Sequence, residues 1–304
     1  MNRVLMPFPA AATLAGTMSQ PLQARIAPVA WRHFPDGESL VTLDDSLSGA
    51  DVAILASLRN ADALALPLRF AARTAREFGA RSVGLVAPYL GYMRQDTRFH
   101  AGEAISTPLF AQFLEESFDW LVTVDPHLHR VERLQSLYGI PTAHVSATPA
   151  VARWIAETVP DAVLIGPDSE SEQWVAGIAA RSGLPYQVLS KERHGDYDVR
   201  VSLPDPQAVA GRTPVLIDDI VSSGHTILET LVHLRRLSLP SPLLVAIHPV
   251  FAGDAHARLQ EAGLARIVST DTIAHPSNAI ALGADLAAAA SSLMTVSTDS
   301  PEDP

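Results

Sequence analysis

The sequence predicts an α/β protein of two similar units, each a mainly parallel sheet flanked by helices. Three observations predict it. Apolar runs of strand length alternate with Ala/Leu-rich segments at helical spacing, the pattern of a parallel sheet. Several runs end abruptly in acids or small hydroxyl residues, at the strand ends where an open α/β sheet places its ligands. The same order of strand, polar tip and helix recurs in both halves. With 304 residues the chain is long enough for two cores. The expected division is 1–146, 147–286 and a C-terminal segment, 287–304.

In chain order, Val4 to Phe8 opens as a strand, Gly16 to Arg25 as a helix and Ile26 to Val29 as a second strand. Phe34-Pro35-Asp36-Gly37-Glu38 is a turn bearing two acids. Asp51 to Ala56 reads as a buried strand. Ala61 to Phe78 reads as a helix that Pro67 should start late or kink. Ser82 to Ala87 is a strand running into a polar loop with Arg94-Gln95-Asp96, Arg98 and Phe99. Ser106 and Pro108 suggest an N-cap and first-turn proline for a helix through Leu114. Trp120 to Val124 is a strand tipped by Asp125-Pro126-His127-Leu128-His129-Arg130, where a carboxylate and histidines suit a divalent cation or a phosphate. Magnesium fits this set better than zinc, which wants a third strong nitrogen or sulfur ligand nearby.

The second half repeats the pattern. A helix spans Thr148 to Thr158, a strand Ala162 to Ile165, and an acidic tip Gly166-Pro167-Asp168-Ser169-Glu170-Ser171-Glu172. A helix from Gln173 to Arg181 and a strand from Tyr186 to Leu189 follow. Lys191-Glu192-Arg193 then opens a hydrophilic loop through Asp198. Leu243 to His248 is a strand, Ala255 to Ala262 a helix, and Arg266 to Ser269 a last strand. From Ala287 the composition turns to Ala, Ser and Thr, with Ser297 to Pro304 an acidic frayed tail.

The most informative stretch is 214–227. Val215 to Ile217 end in Asp218 and Asp219, followed by Ser222-Ser223-Gly224-His225-Thr226 and an amphipathic segment with Ile227, Leu231, Leu234 and Leu237 at helical spacing. A strand, tight loop and helix start in that order aim backbone N–H groups and the positive helix end at an anion. Thr226 and Glu229 read as a capping box. The hydroxyls and N–H groups suit a phosphate, and the paired acids suit vicinal hydroxyls. A sugar phosphate carries both. Two acids directly after a buried strand are costly unless they find such partners.

Bulk properties narrow the class. With 47% hydrophobic and 18% charged residues the chain reads as globular rather than disordered. It shows no membrane-length apolar run and no signal-peptide pattern. A net charge of −11, from 22 basic and 33 acidic residues, argues against a general nucleic-acid binder. The absence of cysteine rules out disulfides and fits a reducing cytoplasm.

The 218–226 stretch resembles the ribose-5-phosphate loop of the phosphoribosyltransferase-type fold, which usually has Gly where this chain has His225. Five motifs in order over roughly residues 3–285 resemble the ribose-phosphate diphosphokinase (PRPP synthetase) family, and the loop around Arg98-Phe99 looks closer to its archaeal-type members. The resemblance implies two phosphoribosyltransferase-like domains and a reaction that moves the diphosphoryl group of ATP to ribose 5-phosphate, giving PRPP and AMP for nucleotide biosynthesis. It assigns ATP to Asp36, Glu38, Arg94, Gln95 and Asp96. It assigns ribose 5-phosphate to Asp218, Asp219, Ser222, Ser223, Gly224, His225 and Thr226. Lys191 and Arg193 become catalytic, and Mg²⁺ falls to His127 and Asp168. A homodimer or larger homo-oligomer in the cytoplasm is implied, with no nucleic-acid or membrane partner. Family members often carry a Gly-rich turn after the residue matching Asp168, where this chain has Ser169-Glu170-Ser171-Glu172. A phosphoribosyltransferase and a non-catalytic regulatory relative are the alternatives.

Overall fold

The computed structural model describes residues 2–44, 46–128, 133–189, 191–193, 199–201, 205–235 and 239–296. It divides into two compact units. One comprises residues up to Val145, Thr272–Ala274 and the chain from Leu282; the other comprises Ser146–Asp271 and His275–Ala281.

The first unit contains β1 (Arg3–Pro7), α1 (Ala12–Leu22), β2 (Arg25–Ile26), β3 (Ala30–His33), β4 (Ser39–Thr42), β5 (Asp51–Leu55), α2 (Ala61–Glu77), β6 (Ser82–Ala87), α3 (Ser106–Glu115), β7 (Leu121–Val124) and β8 (Thr142–Val145). Six of these strands form a sheet in the order β2-β1-β5-β6-β7-β8, every pair parallel. β5 and β6 are buried at every position, as strands covered by helices on both faces must be. Gly84 in β6 is required by packing, because a Cβ there would overlap the Trp120 ring. At the N-terminal edge of the sheet the buried Asp51 takes a two-pronged ion pair from Arg81, with Nε 2.9 Å from Oδ1.

The second unit contains α4 (Thr148–Thr158), β9 (Ala162–Gly166), α5 (Glu172–Ser182), β10 (Tyr186–Val188), β11 (Lys191–Arg193), β12 (Val199–Val201), α6 (Pro206–Val209), β13 (Thr213–Ile220), α7 (His225–Leu234), β14 (Leu243–His248), α8 (Ala255–Glu261), β15 (Arg266–Thr270) and β16 (Asn278–Ile280). Its parallel sheet runs β10-β9-β13-β14-β15-β16, the same topology as the first. Each unit also carries a two-stranded antiparallel hairpin, β3–β4 in one and β11–β12 in the other. Ile165, Leu216, Ile227, Leu231, Leu234 and Leu244 belong to the core of the second unit.

The α/β class with two parallel sheets is as expected, and several local expectations are corrected. The acidic turn at 34–38 closes the hairpin β3–β4, whose strands were not anticipated because none of their residues is buried. Lys191-Glu192-Arg193 is a strand rather than a loop, paired in register with Val199–Val201; residues 194–198 lie outside the described residues. Arg266–Thr270 is not the last strand, since the three-residue β16 follows it. From Gly283 to Val296 the chain forms α9, a helix that packs on α1 in the first unit. Its buried Leu286, Ala287, Ala290 and Met294 follow helical spacing, and alanine has the highest helix propensity, so small residues concealed a core face. Residues 297–304 lie outside the described residues. The helix α2 begins at Ala61 and continues through Pro67.

Candidate active site

The 218–226 bend is built by β13 and α7. The strand does not stop at Ile217 but continues through both acids to Ile220. Asp219 is 5% exposed, and its Oδ1 accepts the Ile220 N–H at 2.7 Å. Asp218 is partly buried. Burial, followed by the charges of Asp219 and Asp168 and then Glu170, pushes its carboxyl well above the usual carboxylate range. Asp168 reaches this group from the turn after β9. Its Oδ1 accepts N–H groups of Glu170 at 3.1 Å and Ser171 at 3.2 Å, and Ser171 Oγ donates back to the Asp168 carbonyl at 2.6 Å. That closed turn stands where a Gly-rich one was the family pattern. Of its two glutamates, Glu170 adds to the field at Asp218, whereas Glu172 begins α5 exposed.

Gly224 is the N-cap of α7 at φ +72°. It takes the left-handed conformation of the bend, and His225 is the first helical residue, so the His in place of Gly carries no backbone strain. The expected Thr226–Glu229 capping box is not formed. Helix α7 starts two residues earlier, with Gly224 rather than Thr226 as its N-cap, and Glu229 pairs with His225 at 3.1 Å one turn away. The buried side of the bend rests on the segment after β14. Phe251 and Ala252 donate N–H bonds to the carbonyls of Val221 and Ser222, at 2.8 and 3.0 Å. Arg258 Nη2 donates to the Ser223 carbonyl at 3.1 Å while its Nε pairs with Asp254 at 2.9 Å. A Cβ on Gly224 would stand 3.0 Å from Leu259. Ser222 is partly buried and Ser223 exposed, so the bend is open to a ligand on the side away from α8.

In the first unit, Glu103 organises the 94–103 loop. Its Oε2 accepts from Phe99 N–H at 3.1 Å, His100 N–H at 3.0 Å and Gln95 Nε2 at 3.2 Å, and its Oε1 meets His100 Nδ1 at 2.7 Å. These bonds, led by His100, hold the Glu103 carboxyl below its ordinary value. Arg98 donates to the Glu103 carbonyl at 2.7 Å, whereas Arg94 is exposed and makes no hydrogen bond or ion pair with described residues. Tyr92 packs tilted against Phe110 with centroids 4.6 Å apart and bonds Asp62, and Phe99 is the exposed aromatic residue of the loop. Ser106 is not an N-cap; Ile105 occupies that position, and the loop is fastened by Thr107 Oγ1 to the Tyr92 carbonyl at 2.7 Å.

Asp36 and Glu38 sit exposed at the tip of β3–β4, where Asp36 Oδ1 accepts the Glu38 N–H at 3.2 Å. Neither makes a hydrogen bond or ion pair to the 94–96 loop. His127 is half-buried in the loop after β7; His129 and Arg130 lie outside the described residues. Lys191 and Arg193 occupy the two ends of β11, and their side chains lie outside the description. In the second unit the structure thus brings together Asp168, Asp218 and Asp219 beside the bend, and in the first it gathers 94–96 into one braced loop.

Residues 4–117 match the family model described as the N-terminal domain of ribose phosphate pyrophosphokinase, and residues 143–276 match a phosphoribosyl transferase domain. A ribose-phosphate pyrophosphokinase of Methanopyrus kandleri is 31% identical over 282 residues, spanning 92% of this chain and 96% of the relative. The chain belongs to the ribose-phosphate pyrophosphokinase family. Another member, from Halobacterium salinarum, is 34% identical over 272 residues, 86% of this chain and 93% of that one. The crystal structure of phosphoribosylpyrophosphate synthetase from Mycobacterium smegmatis superposes with a TM-score of 0.82 at 25% identity, over 99% of this chain and all of that chain. Its likeness extends over both phosphoribosyltransferase-like units.

Two residues that matter to this pyrophosphokinase fold escaped the sequence reading. In the sequence Glu103 is one acid of a polar turn, and its bonds to Gln95, Phe99 and His100 appear only in the structure. Arg258 was hidden inside an ordinary amphipathic helix, and only the tertiary structure shows its guanidinium reaching the bend 35 residues upstream.

Proposed function

We propose that the chain is a ribose-phosphate diphosphokinase transferring the β,γ-diphosphoryl group of ATP to the 1-hydroxyl of ribose 5-phosphate. The α–β phosphoanhydride breaks, the sugar oxygen bonds to the β-phosphorus, and AMP leaves with the bond's electron pair as the hydroxyl proton is lost. The observation that carries this reading is the 218–226 bend: two acids at a strand end, a left-handed Gly224 and a helix N-terminus in one turn. Ser222, Ser223, Gly224, His225 and Thr226 hold the 5-phosphate through N–H groups and hydroxyls. Asp218 and Asp219 accept the 2- and 3-hydroxyls. Arg94, Gln95 and Asp96, with Asp36 and Glu38, take the nucleotide. Lys191 and Arg193 supply positive charge where it develops on the transferring group. Catalysis of this kind is mainly positioning and charge stabilisation.

The residues fit Mg²⁺. Asp218 is buried, with Asp219 and Asp168 close enough to act on its charge, an oxygen-rich setting that suits a hard divalent cation. Among the described residues no three His, Asp or Glu side chains converge to hold an ion alone, which suits an ion that takes its remaining ligands from phosphates and water. Asp168 and His127 are the proposed protein ligands. When bound, the ion neutralises phosphate charge. No helix among the described residues is long and apolar enough to cross a membrane, and we place the enzyme in the cytoplasm as a homo-oligomer.

The test is incubation of purified protein with ATP, Mg²⁺ and ribose 5-phosphate, quantifying AMP and PRPP together. Equimolar formation of both supports the reading. Consumption of added PRPP with a free base, and no AMP from ATP, would replace it with a phosphoribosyltransferase.

A further inference from the structure

The two sheets share one strand order, so β1 and β5 in the first unit stand where β9 and β13 stand in the second. In both, successive connections leave neighbouring strands in opposite directions, which opens a crevice at the strands' carboxyl ends. In the second unit that crevice holds Asp168 and the 218–226 bend. In the first it is a cavity of about 320 Å³ whose walls include Phe8, Trp31, Ser57, Arg59, Asn60 and Leu64.

We propose that this cavity is a second ligand site, one that takes a bicyclic heteroaromatic ring of the purine type. None of its lining residues belongs to the sets assigned above to ATP or ribose 5-phosphate. Phe8 and Trp31 meet edge to face, with centroids 6.0 Å apart. The Trp31 indole is fixed by its own N–H, which donates to Ser39 Oγ at 3.2 Å, so the site offers its ring face rather than its donor. Flat apolar walls of this kind favour an aromatic ligand.

Polar groups at the floor and rim complete the match. Ser57 Oγ is shielded from solvent and has no hydrogen-bond partner, an unfavourable arrangement that a ligand acceptor or donor would relieve. Asn60 precedes α2 without using its side chain as a cap, so its amide retains both a donor and an acceptor. A hydroxyl and an amide together suit the alternating nitrogens of a heterocycle edge. Among the described residues no acidic side chain lines the cavity, so a phosphorylated form is not repelled, and Arg59 stands among the lining residues. The volume lies at the small end of ligand pockets and limits the occupant to the ring with little more than a sugar phosphate.

The experiment is calorimetric titration of the full chain with adenine, adenosine and AMP. Wild type is compared with Ala63→Trp, which fills the cavity from an exposed position on α2, and with Ser57→Ala and Arg94→Ala. The expected result is binding of adenine that Ala63→Trp abolishes, Ser57→Ala weakens about tenfold and Arg94→Ala leaves intact. If Ala63→Trp does not fold, Ala10→Leu narrows the same space from the β1 loop. Tighter binding of AMP than adenine, reduced to parity by Arg59→Gln, assigns the phosphorylated source; parity in wild type assigns the free base. Adenine binding that survives the filled cavity, or that Arg94→Ala removes, overturns the proposal. So does the absence of any purine binding at millimolar concentration. Loss of diphosphokinase activity in the wild type leaves this result unchanged, so the two proposals fail separately.

Discussion

The crevices at β1/β5 and β9/β13 occupy equivalent positions in two sheets of identical strand order, yet their chemistry is opposite. The second is acidic, with Asp168 and Asp219 close enough to Asp218 to add to the burial that raises its carboxyl. The first has aromatic and aliphatic walls and, among the described residues, no carboxylate. Their hairpins differ in the reverse sense: β3–β4 presents Asp36 and Glu38 at its tip, whereas β11–β12 carries Lys191 and Arg193. Topology therefore determines where each unit can bind, and a handful of side chains at strand ends determines what. A duplicated fold can divide one reaction's binding tasks without altering its backbone plan.

The comparison breaks most severely at the cationic hairpin. Lys191→Ala is expected to lower kcat by about a hundredfold or more, with only a few-fold change in the KM for ribose 5-phosphate, the split that the charge-stabilising role proposed for the lysine requires. A change confined to KM would remove the transition-state role. Glu38→Ala on the other hairpin should instead raise the KM for ATP with a smaller effect on kcat.

Next in size is the acidic crevice. Asp219→Ala should weaken ribose 5-phosphate binding about thirtyfold, the usual scale for hydrogen bonds to a charged group, and unchanged affinity in a binding titration would remove Asp219 from the site. Away from both crevices, Arg81→Met leaves the buried Asp51 carboxylate without its guanidinium. It should lower Tm with little effect on KM, as thermal unfolding and steady-state kinetics together would show.

Asp218 provides the pH test. Its folded carboxyl titrates above the ordinary value because of burial and its acidic neighbours, so the folded state holds the proton more tightly than the unfolded chain. Stability of the metal-free protein should be unaffected below the ordinary carboxylate range. It should fall as pH rises from there to the raised value and level off above it. Asp218→Asn should flatten that decline, and denaturant midpoints across pH would show whether it does. The smallest effect is expected at His225. Because Gly224 already takes the positive φ, His225→Gly should change ribose 5-phosphate affinity less than threefold.

Much of this was legible in the chain itself. Ser82–Ala87, Thr148–Thr158 and Leu243–His248 fall at the predicted bounds because apolar period and flanking polar residues agree there. The strands of β3–β4 were missed since they bury no residue and so carry no burial pattern, and α9 because alanine marks a core face only weakly. At the site, residue types and spacing pointed to the 218–226 bend, but not to which residue would take the left-handed turn. Both Gly224 and His225 tolerate it, and only the packing of Leu259 behind the bend shows why the residue without a Cβ sits at 224. The bracing by Glu103 and Arg258 was invisible because it joins residues that no local pattern links.

The Arg258 guanidinium has a consequence for how this protein can be tuned. Helix α8 is a surface element, but through its bond to the Ser223 carbonyl it braces the peptide plane that carries the Gly224 N–H, one of the groups proposed to hold the 5-phosphate. Substitutions on that outer helix, or anything that grips it, should alter sugar-phosphate affinity without touching a single ligand contact.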